Sequence, residues 1–148
     1  MMEIFAAGAW RGITRGEIIA GGTPRRLTRG EMYIGGQWRP IFSFIPTLSV
    51  SAPAGIYASQ AVNATVNVAT DNVTATPIGG APGYSYSWAL ISGSGIAISN
   101  PTLATTRFSA PMPAASIRNG VARVTVTDSR GTSAFADVAV TLENVDIR

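Results

Sequence analysis

The chain has no cysteine and no histidine, and although eleven of its 148 residues are basic it has no lysine. Each absence removes a class of chemistry. Without cysteine there is no disulfide framework, no thiolate metal site and no thiol redox centre. Without histidine as well, Ser-His-Asp and Cys-His arrangements and the usual zinc sites are excluded. Charged residues make up only 13% of the chain, and the eight acids are scattered rather than set as the facing pair that glycoside hydrolysis needs. Asp71, Asp128 and Asp137 lack the D-x-D-x-D spacing of a calcium loop. The glycine-rich stretches Gly79-Gly80 and Gly93-Ser94-Gly95 lack the Lys-Ser/Thr and following helix of a phosphate loop. We therefore expect no enzyme, no cofactor and no bound metal.

Two further absences bear on location. The uncharged stretches Pro40–Thr70 and Asn72–Thr106 are rich in Ser, Thr, Asn, Gly and Pro, which argues against membrane insertion. The opening MMEIFAAGAWRG has no basic segment followed by an apolar run, so no export signal is expected and synthesis in the cytoplasm is. The sequons Asn63-Ala64-Thr65 and Asn72-Val73-Thr74 are then read as coincidence.

What is present begins with an internal repeat of period 14. Units Glu3–Gly16, Glu17–Gly30 and Glu31–Phe44 align Glu3, Glu17 and Glu31; Gly8, Gly22 and Gly36; Arg11, Arg25 and Arg39; and Ile13, Leu27 and Ile41. Trp10 and Trp38 match with Pro24 between them. Gly8-Ala9, Gly22-Thr23 and Gly36-Gln37 suit two-residue hairpin loops, and Arg15-Gly16 and Arg29-Gly30 suit type II turns. The expectation is a meander of up to six short strands, with Pro24 at an edge or a bulge.

Charge separates the halves. Residues 1–47 hold six Arg against three Glu, and residues 48–148 hold five Arg against five acids. A meander of this size buries too little surface to stand comfortably alone. Its Trp, Tyr and Arg residues are the types that anchor interfaces. Trp10, Arg11, Arg25, Tyr33, Trp38 and Arg39 are accordingly the candidate docking residues of a module at 1–45, with a second domain at 46–148 and the junction near 45–48.

From Leu48 onward short alternating runs recur at the spacing of a two-sheet sandwich. They are Leu48–Val50; Val62–Val68, with Val62, Ala64, Val66 and Val68 inward; Val73–Thr76; Tyr84–Leu90, with Tyr84, Tyr86, Trp88 and Leu90 on one face; Ile96–Ile98; and Ala104–Ser109. A long hairpin, Val121–Leu142, closes the series around Asp128-Ser129-Arg130-Gly131, and Asp128 is expected to hold backbone N–H groups in that turn. The fold class is all-β: a meander of short hairpins followed by an antiparallel β-sandwich of seven or eight strands.

Gly79-Gly80-Ala81-Pro82-Gly83-Tyr84-Ser85-Tyr86-Ser87-Trp88, followed by Val124-Thr125-Val126-Thr127-Asp128-Ser129-Arg130-Gly131, resembles the PKD-like and related bacterial Ig-like domains over about residues 48–143. The resemblance implies an Ig-like sandwich with Trp88 at its centre, and it specifies fold better than function. Ig-like domains without export signals look like those carried by structural proteins of tailed bacteriophages. That likeness implies a non-enzymatic virion component, made in the host cytoplasm. Its 1–45 module would dock on other virion proteins or on copies of itself, and its sandwich would face outward, where a host-surface glycan is a possible ligand. The alternative is a carbohydrate- or surface-adhesion module of a bacterial envelope protein. A nucleic-acid partner is not expected, because Glu3, Glu17 and Glu31 interrupt the arginines.

Overall fold

A computed structural model describes residues 45–147 throughout and, before them, the backbone of six strands between residues 3 and 43. Each repeat unit is centred on one antiparallel hairpin. Strands β1 (Glu3–Ala6) and β2 (Ala9–Gly12) pair, as do β3 (Glu17–Ala20) and β4 (Thr23–Arg26), and β5 (Arg29–Ile34) and β6 (Gln37–Ser43). The registers are equivalent: Phe5 opposes Trp10, Ile19 opposes Pro24 and Tyr33 opposes Trp38. In a two-stranded hairpin both strands are edges, so Pro24 forfeits no ladder bond to a third strand.

Two expectations about the turns need correction. Ala9, Thr23 and Gln37 are the first paired residues of their strands, opposite Ala6, Ala20 and Ile34, so the second residue of each expected loop belongs to a strand. Gly8, Gly22 and Gly36 themselves, like the Arg15-Gly16 turn, lie outside the described residues. Arg29-Gly30 is not a turn: both residues belong to β5, opposite Ser43 and Phe42, and the register then shifts so that Glu31 opposes Pro40. A bulge absorbs the extra residue, and the glycine sits beside it.

The chain divides into two compact units, Met1–Pro46 and Thr47–Arg148. The second begins with β7 (Ser49–Ser51), β8 (Gly55–Ala61), β9 (Val66–Ala69), β10 (Val73–Thr74) and β11 (Thr76–Ile78). It continues through β12 (Ser85–Ser92), β13 (Ala97–Ile98), β14 (Thr105–Thr106), β15 (Phe108–Met112), β16 (Ser116–Thr127) and β17 (Ser133–Val145). The main sheet has the order β12-β16-β17-β8, and a second sheet has the order β13-β15-β9. The short pairs β7-β11 and β10-β14 complete the fold. All pairings are antiparallel except β8 with β17.

The core lies between the two sheets. Trp88, Ala122, Val124, Val126, Val138, Val140 and Leu142 from the main sheet meet Val68, Phe108, Ala110 and Met112 from the second. The alternation expected of the closing hairpin holds, and the hairpin extends back to Ser116. Trp88 is 4% exposed and meets Phe108 edge-on, with ring centroids 5.9 Å apart. Its indole N–H donates to the Leu103 carbonyl at 2.9 Å, the partner a buried indole needs.

The Val62–Val68 strand is only half correct. Val62, Asn63 and Ala64 are exposed and lie outside any strand, and β9 starts at Val66. The strand that pairs beside the hairpin is instead β8, which the Pro53 and Gly55 turn signals obscured. Between β8 and β9 the chain passes from one sheet to the other, and the fully buried Asn144 secures the crossing. Asn144 Oδ1 accepts the Val62 N–H at 3.0 Å, and its Nδ2 donates to the carbonyls of Ala64 and Met112 at 2.9 and 3.2 Å.

Candidate functional site

With the inward face of the main sheet committed to the core, the outward face is what it offers to other molecules. Register orders that face in rows. Ala89, Arg123 and Asp137 form one row; Val121, Ala139 and Gly55 the next; Asn119, Thr141 and Tyr57 a third; Ile117, Glu143 and Ser59 a fourth. The second row is small, so it forms a trough. A hollow of about 300 Å³ opens there, lined by Ser92, Asn119, Gly120, Val121, Ala139, Val140 and Thr141. Gly120, in the same stretch, has the inward parity, and a Cβ there would stand 2.8 Å from the buried Ile96.

Exposed apolar residues flank the trough. Tyr57, Ile117 and Phe135 are 56%, 60% and 59% exposed on this face. Arg123 and Asp137 on this face form an ion pair. Arg123 grips Asp137 through Nε to Oδ1 at 2.7 Å and Nη2 to Oδ2 at 2.8 Å, and its guanidinium lies 4.0 Å from the centre of the Phe135 ring. That bidentate hydrogen bond raises the Arg123 pKa and holds the Asp137 carboxyl below its ordinary value. The Tyr57 hydroxyl donates to Glu143 Oε2, and Thr141 Oγ1 donates to Asn119 Oδ1 at 2.9 Å. A face of this kind is suited to recognising shape and apolar surface.

Asp128 plays the part expected of it, and more. It is 6% exposed, and its Oδ1 accepts the N–H groups of Arg130 and Thr132, each at 2.9 Å, within the turn. Its Oδ2 reaches a separate loop and accepts the Ala81 N–H at 2.9 Å. Gly80, at φ +70, brings that loop close: a Cβ there would meet Leu48 and Asp128 at 3.0–3.1 Å. The Ala81 bond is the largest cause of the depressed Asp128 pKa, with the Thr132 and Arg130 bonds adding to it against the opposing effect of burial. Among the described residues no group of three or more His, Cys, Asp or Glu is placed to hold a metal ion. Among the described residues there is, likewise, no helix long and apolar enough to cross a membrane.

The candidate docking residues of the first unit fall at equivalent register positions. Arg11, Arg25 and Arg39 oppose Ile4, Ile18 and Met32, while Trp10 and Trp38 oppose Phe5 and Tyr33. Their side chains lie outside the described residues. Sequence reasoning did not single out Tyr57, Ile117, Phe135 or the Arg123–Asp137 pair. The pair was within reach: counting outward from Thr127 opposite Ser133 places Arg123 against Asp137. Tyr57 was not, because its strand was missed.

Comparison with known proteins follows from this geometry. Residues 58–142 match the family model described as K319L-like, PKD domain. No relative is found among curated proteins. Among solved structures, a PapD-like domain of human CEP192 matches with a TM-score of 0.51 at 5% identity, over 79% of this chain and 99% of that one. The PKD domain of the KIAA 1837 protein gives a TM-score of 0.38 at 17% identity, over 63% of this chain and 86% of that one. A nucleoside hydrolase-related protein of Saccharophagus degradans gives 0.40 at 18% identity, over 70% of this chain, which spans 26% of that protein's length.

Proposed function

Since this chain belongs to the PKD-domain family through residues 58–142, whose members are typically non-catalytic, we propose that it is a non-enzymatic structural protein of a tailed-bacteriophage particle. Residues 1–45 dock it on other virion proteins, and the sandwich is displayed for contact with a host surface or for stiffening the assembly. The observation that carries this reading is the outward face of the main sheet. Its exposed Tyr57, Ile117 and Phe135 offer contact area, while Arg123 is ion-paired with Asp137 and the Glu143 carboxylate accepts the Tyr57 hydroxyl. Such a surface suits contact with another macromolecule.

The division of labour is supported by the two compact units and by the register equivalence of the three hairpins. A repeated hairpin presents the same backbone pattern three times, which suits a module that docks through several equivalent contacts. The test is incorporation. Particles assembled with a chain lacking residues 1–46 should contain none of it, whereas particles assembled with the full chain should contain a fixed copy number. Replacing Trp10, Arg11, Trp38 and Arg39 together by alanine should reduce incorporation at least about tenfold, as loss of interface anchors does. Normal copy number for the truncated chain would overturn the assignment of docking to residues 1–45.

A surface-adhesion module of a bacterial envelope protein is the second reading, favoured by Tyr57 lying in one row with Asn119 and Thr141 beside the hollow. Specific binding of the full chain to one class on a glycan array, lost on Tyr57→Ala, with no incorporation into particles, would select it.

A further inference from the structure

The main sheet has two edges, and they are treated differently. At β12 the backbone N–H of Trp88 donates to the Pro101 carbonyl at 2.7 Å, and its indole N–H holds the Leu103 carbonyl. The loop through Pro101 and Leu103 therefore meets that edge at Trp88. At the opposite edge the Ala139 N–H donates to the Ala54 carbonyl at 3.0 Å, while Gly55 is the register partner of Ala139. In a parallel ladder a residue bonds to the two neighbours of its partner. Gly55, Tyr57, Ser59 and Ala61 consequently turn their own N–H and C=O groups away from β17. Among the described strands none pairs with that side of β8. The strand itself carries none of the usual protections: Gly55–Ala61 reads GIYASQA, with no charge, no proline and no bulge against β17.

We infer that the β8 edge is completed by the β8 edge of a second copy of this chain, paired antiparallel about a two-fold axis at Ala58. The sequence of the strand is complementary to itself in this register. Tyr57 faces Ser59 of the second copy, Ile56 faces Gln60, Gly55 faces Ala61, and Ala58 faces Ala58, so each large side chain opposes a smaller or more flexible one. The outward-turned backbone groups at 55, 57, 59 and 61 meet one another as hydrogen-bonded pairs, which is the pattern an antiparallel ladder requires. No like charges are brought opposite each other. The two Tyr57 rings become diagonal neighbours on the outward face, within reach for aromatic contact, and side chains now 56% exposed gain a partner. The same patch serves both copies, as a two-fold interface demands. Nothing in this depends on the virion reading.

The test uses the full chain with one introduced thiol. The natural sequence has no cysteine, so Ala58→Cys can form a disulfide only between copies. Ala58 sits on the axis in a non-hydrogen-bonded pair, where opposing Cα atoms lie about 4.5 Å apart, within disulfide range. Mild oxidation should give a covalent dimer of Ala58→Cys on a non-reducing gel and little or none of Ser87→Cys, which is exposed on β12. In sedimentation velocity the unmodified chain should run at twice the chain mass, and Ser59→Pro should halve it. That proline removes an N–H that is turned away from β17 and bonds nothing among the described residues, so the thermal transition of the sandwich should persist. A monomeric unmodified chain, equal cross-linking of both cysteine variants, or a dimer unaffected by Ser59→Pro would each overturn the inference. Should Ser59→Pro fail to fold, the comparison of the two cysteine variants decides.

Discussion

Asp128 joins two loops that are far apart in sequence, and three backbone N–H groups depend on its ionised form. Its carboxyl titrates below the ordinary 3.8 when folded, so the unfolded chain binds the proton more readily in that region. The stabilisation is fully present above about pH 4 and is lost as pH falls from there through the folded pKa. Asp128→Asn cannot reproduce it, because an amide offers one oxygen where two are used and sets an NH₂ against an N–H. We expect this variant to lower Tm at pH 7 and to flatten the acid side of the stability curve, read by thermal melts between pH 2 and pH 7. An unchanged acid limb would show that Asp128 does not drive it. Trp88 tests packing at the same scale. Trp88→Ala should cost about 3–5 kcal/mol in denaturant unfolding, since it empties the contact with Phe108 and strands the Leu103 carbonyl. The turn bonds of Asp128 and the alternation that places Trp88 were legible as local pattern, and the central position of Trp88 followed from the family resemblance; the Ala81 bond, made across 47 residues, was not legible.

At the scale of elements legibility depended on whether a strand announces itself by alternation. The hairpin of β16 and β17 does, with Ala122, Val124 and Val126 inward against Arg123, Thr125 and Thr127. Strand β8 does not. Only Ile56 and Ala58 of its seven residues contribute to the inward face, its remainder is small and polar, and its pairing is parallel with a strand more than eighty residues away. No local rule reports such a pairing. The same failure hid most of the outward face, because Tyr57 can be placed beside Thr141 only once β8 is placed. Asn144 follows from the same geometry: at the end of an apolar alternating strand it reads as a surface residue, yet it is fully buried because the chain crosses between sheets there. Asn144→Ala should cost about 1–3 kcal/mol, the penalty for leaving buried backbone groups unpaired. Hydrogen exchange should accelerate first at Val62, whose N–H it accepts. Protection at Val62 unchanged in the variant would mean that another group secures the crossing.

At the scale of the molecule the two units differ in what sustains them. Residues 47–148 enclose a core drawn from two sheets, with Phe108, Met112, Leu142 and six further large side chains fully buried alongside Asn144 and Thr106. The first unit pairs its strands as three separate two-stranded hairpins, and a hairpin alone is marginal in water. Removing residues 1–46 should therefore leave one cooperative transition, with Tm shifted by less than about 4 °C, under about 1 kcal/mol for a domain of this size. A peptide of residues 1–46 should show no cooperative transition by itself. The two results together would locate the dependence: the sandwich stands alone, and the hairpins acquire their stability from whatever they dock on, as the proposed function requires. A truncated sandwich that melted far lower would reverse this, because the hairpins would then be packing on their own sandwich. The arginines and tryptophans of the repeat would in that case be part of its support and not free to anchor it elsewhere.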